Sequence, residues 1–400
     1  MTITIDVETQ SEADLIKVGA WAYSQHPSTD MICVCWKEDD RDMGEWWPGR
    51  NKDDRMPADL AEGLVHRQQL VEGHNISFEK SCWFNILQTR YGWWLPRPER
   101  WRDTMAVAAY MGMPLGLDKL VKALGYTGKD PEGSRLITKY SKLHLKTAQR
   151  EIPDVDFFKF VDYCKDDVLL ECSISDYLGD LPEDELEYFL LDQKINERGI
   201  YLDLHGIECA SFIVDTRSAD LRKEFNDLTG FNPTQDKVFK SWLKGNGFTF
   251  ENLQKAHIQE ELDNDFPQGP SRSALELRLK INKASTKKLD AMARNVGTDG
   301  RARFQTRYHG AFTGRNTGAG FQPLNLSRGF DGDEVPPEQL VHNIRKRDAK
   351  WLDVLYGDAM DAVAKSTRHW IRSEAGCTIY AGDFVSVEAV LLSCLAGEEW

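Results

Sequence analysis

Residues 1–9 read Met1-Thr2-Ile3-Thr4-Ile5-Asp6-Val7-Glu8-Thr9. β-Branched residues alternating with period two predict a strand. Side chains two apart on a strand share a face, so Asp6 and Glu8 project together from an otherwise apolar strand. Two carboxylates held side by side repel each other unless a cation lies between them, and an oxygen-rich pair of this kind suits Mg²⁺ or Mn²⁺. An Asp-x-Glu triplet alone marks many solvated strand ends. It gains meaning only with matching carboxylates downstream.

Outward from this stretch, residues 2–8, 17–23 and 31–36 predict three strands, followed by a polar segment at 39–57. Helix and strand patterns then alternate through 58–66, 69–73, 77–89 and 118–125, and residues 127–152 read as basic loop. A helix is expected over 157–178, broken at Gly179–Pro182, which sets the first boundary. Residues 183–300 read as mainly helical, with acids at Glu183, Asp184 and Glu185 favouring a helix start. From Arg303 the pattern turns to strand and loop, with a Gly/Pro/Asp-rich linker at 327–338. The class is a multidomain α/β protein.

The 400 residues suffice for two or three domains with real cores. Hydrophobic content is 41%, and no run of ~18 apolar residues predicts a membrane span. The N-terminus lacks the basic flank and long apolar core of a signal peptide, so a cytoplasmic location is expected. The 8 cysteines form no Cys-x-x-Cys pair or Cys/His comb, and reduced buried thiols are expected rather than zinc. A net charge of −14 argues against nucleic acid only in bulk, because a binding surface needs a local positive stripe. Arg272, Arg278, Lys280, Lys283, Lys287 and Lys288 supply one stripe, and Arg345, Lys346, Arg347 and Lys350 a second.

Two motifs answer the opening strand. Gly73-His74-Asn75-Ile76-Ser77-Phe78-Glu79 follows a short apolar run and begins a helix, and Tyr163-Cys164-Lys165-Asp166-Asp167 lies on a helix with Tyr163 and Asp167 on one face. In order and rough spacing, the three stretches together resemble the exonuclease motifs of the DEDD 3′–5′ exonucleases. The tyrosine four before the last Asp resembles the DEDDy branch. The resemblance implies an RNase H-like (DnaQ-like) domain with a mixed sheet over residues 1–182. It implies two Mg²⁺ or Mn²⁺ ions per active site, held by Asp6, Glu8 and Asp167. Tyr163 would position the attacking water, and Asn75 and Phe78 would meet the DNA strand. Asp103 is implied as a support. Glu79 stands where the family has Asp, and its extra methylene moves the catalytic carboxylate by about a bond length; geometry errors near 1 Å can cost ~100-fold.

The second half resembles family A DNA polymerases. Arg198-Gly199-Ile200-Tyr201-Leu202-Asp203 is similar to the entry of the polymerase region. Leu275-Glu276-Leu277-Arg278 with Lys283, Lys287 and Lys288 is similar to a helical thumb tracking duplex DNA, over residues 183–300. Thr313-Gly314-Arg315 and Gln322-Pro323-Leu324-Asn325 resemble the motifs that approach the primer terminus and template–primer. Thr378-Ile379-Tyr380-Ala381-Gly382-Asp383 predicts a strand and 387–396 a helix, together resembling polymerase motif A in a palm that begins within 301–400. Asp383 would bind both catalytic metals there, and Glu388 would sit under the incoming sugar. Val385, Ser386 and Val390 depart from common members. The resemblance implies a phage-type replicative DNA polymerase with proofreading, acting on primer–template DNA, single-stranded 3′ ends and dNTPs in the host cytoplasm, without membrane contact and as a monomer.

The fingers helix and second palm acid of the family do not occur before Trp400. A longer polypeptide or a truncated one is expected, with the 400 residues competent for exonuclease chemistry alone. A free-standing DEDDy exonuclease on DNA or RNA and a catalytically inactive DNA-binding scaffold are the alternatives. Thr313–Arg315 and Asp383–Glu388 argue against the first, and Asp6, Glu8, Tyr163 and Asp167 against the second.

Overall fold

The opening strand has neighbours on both edges. The computed structural model describes residues 2–38, 41–49, 54–128, 130–264, 266–281, 285–330 and 335–398, without the side chains of 285 and 286. In it, β1 (Thr2–Gln10), β2 (Asp30–Glu38), β3 (Gly44–Trp46), β4 (Leu70–Gly73) and β5 (Trp101–Asp103) form a mixed sheet in the order β3-β2-β1-β4-β5. β1 runs antiparallel to β2 and parallel to β4. A register shift between Glu8 and Thr9 bends the end of β1 that carries the acids.

The alternation of β1 divides the sheet into two faces. Ile3, Ile5 and Val7 point to one, where Trp46, Trp83, Trp93 and Trp101 pack as a tryptophan cluster. Trp46–Trp93 and Trp83–Trp93 meet edge to face at 4.8 and 5.5 Å, the geometry that the ring quadrupoles favour. Asp6 and Glu8 take the other face.

Residues 17–23 are not a strand. They lie in α1 (Leu15–Gln25), whose N-terminus Asp14 caps by accepting from Ile16 N. With β2 and β4 on either side of β1, the run has no central edge to join, and the local cap decides the conformation. Gly19 (φ 78°, ψ 163°) kinks the helix. Next come α2 (Ser77–Cys82), α3 (Thr104–Tyr110) and α4 (Pro131–Leu136). The last replaces part of the expected 127–152 loop, capped by Asp130 with Pro131 at its first position. α5 (Asp154–Leu178) covers the acidic face of the sheet, burying Phe157, Phe160, Cys164 and Val168 against Cys33 and Cys35.

The helical remainder begins with α6 (Glu183–Arg198), followed by α7 (Leu204–Thr229), α8 (Asp236–Gly245), α9 (Pro270–Ile281) and α10 (Ser285–Arg294). α7 is the spine of the largest core, which gathers Ile213, Phe225, Phe239, Leu275 and Met292. Between Arg303 and residue 377, where strand and loop were expected, three α-helices form: α11 (Pro337–Ile344), α12 (Ala349–Tyr356) and α13 (Ala359–Ser366). Asp348 and Asp358 cap the last two through Trp351 N, Met360 N and Asp361 N, and Ile344, Leu352 and Val363 bury one face of each.

Residues 378–382 form no strand, although α14 (Val387–Ala396) follows as expected. A strand needs a hydrogen-bonding neighbour, and none of the described residues pairs with this run. No described helix is long and apolar enough to cross a membrane.

The two halves share a third apolar cluster. Ala106 of α3, Leu178 of α5, Phe189 of α6 and Tyr308 lie in it together, and the Tyr308 hydroxyl donates to Glu185. Asn295 Nδ2 donates to Lys17 O (3.2 Å) and Thr298 N to Gln25 Oε1 (3.0 Å), tying residues after α10 to α1.

Candidate metal centre

Strand period, helix period and a glycine turn bring the predicted site residues towards one end of the sheet. Asp6 and Glu8 project from β1, and α5 lays Asp167 across them. Carboxylate oxygens of the three lie within 4.8 Å of one another. Asp6 and Glu8 are half-buried and Asp167 is buried. Three ionised carboxylates at such spacing repel strongly, and an all-oxygen donor set of this size fits a hard divalent cation.

Asp6 also lines a cavity of about 450 Å³ with His74, Asn75, Glu171 and Arg307. Glu171 follows Asp167 by four on α5, and helical spacing alone would have marked it. Arg307 comes from the far side of the sequence, and no local pattern points to it. His74 is held by its ring: Nε2 donates to Leu115 O (2.8 Å), and Nδ1 lies 3.0 Å from Thr104 Oγ1.

Glu79 stands apart from the three clustered acids. It is buried, with Oε2 lacking a hydrogen-bond partner among the described residues. Burial first, and then the Asp6 charge, hold its carboxyl well above the usual range. Glu79 therefore holds its proton more tightly than a solvated glutamate would. The turn before it depends on Asp103, whose carboxylate accepts from Asn75 N (2.9 Å), Ile76 N (3.3 Å) and Met105 N (2.9 Å). Those bonds hold Asn75 at φ 67°, a conformation asparagine tolerates better than most residues. Asn75, Phe78 and Glu79 face a second cleft of about 570 Å³, across from Asn295, Arg303 and Phe304.

Tyr163 is buried on the same face of α5 as Asp167, and its ring packs on Gly133 of α4 and beside Phe160. It lines a hollow with Asp130, Pro131, Asp166 and Asp167. Neither Gly133 nor the meeting of Cys33, Cys35 and Cys164 was legible in advance, because each depends on how α4 and α5 seat on the sheet.

The remaining predicted residues lie elsewhere. Arg278, expected on a DNA-facing stripe, is buried in the helical core. Its guanidinium donates to Pro233 O and to Asp236 Oδ1 (2.8 Å) and covers the Phe239 ring. Pairing satisfies the charge inside the protein and leaves little of it for a ligand. Lys287 is exposed, Lys288 is half-buried and donates to Asn325 O, and Lys283 lies outside the described residues. Gln322 adopts φ 57°, and Asn325 Nδ2 reaches its Oε1 at 3.5 Å. Arg315 and Glu388 form an exposed ion pair of 3.0 Å. Asp383 is exposed and accepts from Phe384 N (2.9 Å), with no group of three acids around it among the described residues.

No family model matches the chain. The chain is similar to the DNA polymerase of Bacillus phage SP02, with 28% identity over 421 residues that cover 100% of this chain and 62% of that protein. It thus spans less than two thirds of this curated relative. Among solved structures, it is similar to the POL domain of Pol1 from M. smegmatis in complex with DNA primer-template and dNTP. That likeness has a TM-score of 0.45 and 15% identity over 87% of this chain and 54% of the other.

Proposed function

We propose that this chain, a relative of a phage DNA polymerase along its whole length, belongs to a family A, phage-type DNA polymerase with a 3′–5′ proofreading exonuclease. Residues 1–182 form the RNase H-like exonuclease domain, 183–300 the thumb, and 301–400 the first part of the palm. The observation that carries the exonuclease assignment is the convergence of Asp6, Glu8 and Asp167 within 4.8 Å, beside Tyr163.

The donor set fits two Mg²⁺ or Mn²⁺ ions, which Asp6, Glu8 and Asp167 would hold between them. When bound, such cations supply acidity for an attacking water and a counter-charge for the leaving oxygen. The protein's own residues do the positioning. Tyr163, fixed by Gly133 and Phe160, aims its hydroxyl at the water. Asn75 and Phe78 hold the 3′-terminal nucleotide in the cleft they line. Glu79 lies buried behind the three acids and is counted with the catalytic residues rather than with the metal ligands.

In the palm, Asp383 is assigned to the synthetic metals, Glu388 to the sugar of the incoming nucleotide, and Arg315, Gln322 and Asn325 to the primer terminus and template. The 3.0 Å Arg315–Glu388 pair supports a common surface for the last two motifs. The partners are primer–template DNA, single-stranded 3′ ends and dNTPs, met in the host cytoplasm.

A mismatched primer–template with Mg²⁺ tests the reading. Trimming of the 3′ end is expected, and Asp6→Ala should abolish it. Undiminished trimming by that variant would overturn the exonuclease assignment.

A further inference from the structure

The acidic cluster has a sulfur counterpart on the same face of the sheet. Cys33 and Cys35 lie on β2 directly across from Glu8 and Asp6. Cys164 comes down from α5 one turn before Asp167. All three thiols are buried, and their sulfurs lie within 4.8 Å of one another. Leu136, Phe157, Phe160 and Val168 surround them. Cys164 Sγ is also 3.4 Å from Asp6 Oδ2 and 3.6 Å from Asp6 O, so a carboxylate oxygen stands next to the sulfur trio.

Packing alone gives no reason for three sulfurs to converge, because a buried thiol behaves as a small apolar group with weak hydrogen bonds. Metal ligation does. Zinc binds thiolate at about 2.3 Å in tetrahedral geometry, which sets sulfurs about 3.8 Å apart. The cluster therefore needs at most about an ångström of closure. Soft sulfur donors also sort metals away from the oxygen cluster beside them, which suits Mg²⁺ or Mn²⁺.

We propose that Cys33, Cys35 and Cys164 form a second metal site for a thiophilic divalent cation of the zinc class, with Asp6 closing the fourth position. Binding displaces the thiol protons to solvent, with no change of oxidation state. The cation enters past Asp6, which opens onto the 450 Å³ cavity. Occupancy draws an Asp6 oxygen away from Glu8 and Asp167 and so weakens Mn²⁺ binding there. The sulfur site stands without the exonuclease reading; only the meaning of this antagonism for trimming rests on it.

Cadmium is the probe, because its bonds to thiolate absorb in the ultraviolet. The reduced chain, stripped of metal and carrying serine at the exposed Cys377 and Cys394, is titrated with Cd²⁺ in excess Mg²⁺. One equivalent should saturate a thiolate charge-transfer band. Cys164→Ser and Cys33→Ser should weaken binding by more than ~100-fold, and Cys82→Ser, a buried thiol outside the trio, should not. Should a serine variant fail to fold, the parent still decides: Cd²⁺ must slow alkylation of Cys33, Cys35 and Cys164 during mild denaturation. No band, a band unchanged in Cys164→Ser, or no protection overturns the site. Mn²⁺ affinity, read by electron paramagnetic resonance, should fall ~10-fold with Cd²⁺ bound. Absence of Mn²⁺ binding without Cd²⁺ counts against the exonuclease reading and leaves the sulfur site standing; unchanged Mn²⁺ affinity with Cd²⁺ bound overturns the role given to Asp6.

Discussion

The ring of Tyr163 lies directly over the Cα of Gly133: a methyl at position 133 would fall inside the van der Waals surfaces of ring atoms Cδ2, Cε2 and Cζ. The first turn of α4 thus acts as the seat of the ring, and only glycine leaves room for it. Gly133→Ala should tip the ring and cut 3′ trimming by ~100-fold, with Mn²⁺ binding unaltered. Single-turnover trimming measured beside an Mn²⁺ titration checks this. Tyr163→Phe, which keeps the ring and loses the hydroxyl, should behave alike. Full activity in Gly133→Ala would remove ring placement from the mechanism.

Divalent cations should stabilise the fold through the acidic cluster. A ligand at a hundredfold excess over its Kd adds about 2.7 kcal/mol to a single site. Calorimetry with Mn²⁺ and with chelator should show that gain in the wild-type chain. Asp167→Asn relieves repulsion with Asp6 and Glu8, so it should melt higher than wild type in chelator and show little response to Mn²⁺. An undiminished metal response in this variant would place the binding elsewhere.

Glu72 gives a pH signature away from the metal centre. It is buried, and its carboxyl is pushed up to about 7, by burial first, against a hydrogen bond from Ser175. The folded state therefore holds the proton more tightly than the unfolded one. Its contribution is fully present below about pH 4.5 and is lost as pH rises through about 7. Glu72→Gln should remove this fall and exceed wild type at pH 8 by on the order of 3 kcal/mol. Parallel pH profiles for variant and wild type would refute it.

Arg278 and Lys287 should separate stability from DNA affinity. Arg278→Ala leaves Asp236 and Pro233 without their donor and should destabilise by about 3 kcal/mol, with the folded fraction binding DNA normally. Lys287→Ala should leave the melting temperature alone and lower the salt slope of duplex binding by about one. Denaturant melts and binding at several salt concentrations distinguish the two. The reverse pattern would return Arg278 to the DNA surface.

What was legible in the sequence followed short periods. The period of two in residues 2–8 placed Asp6 beside Glu8, and four-residue spacing put Tyr163 and Asp167 on one helix face. What depended on partners was hidden. Residues 17–23 alternate well enough for a strand, but Asp14 caps a helix there. Residues 378–382 have strand composition and no described neighbour to pair with. The charge of Arg278 suggested surface, and only the packing of α9 on α8 brings it to Asp236. The sulfur trio needed the cross-strand register of β1 and β2, which no single stretch encodes.

The apolar cluster joining Ala106, Leu178, Phe189 and Tyr308 has a kinetic consequence on the proposed reading. A joint that shares a core cannot swing without exposing that core, so a fixed gap separates the editing centre from the segment around Tyr308 that leads to the assigned primer-terminus residues. A mispaired primer must then fray from its template and thread its loosened end across the gap. The switch from extension to correction would be timed by base-pair melting, and A·T-rich primer ends should be edited more often than G·C-rich ones by the same rigid protein.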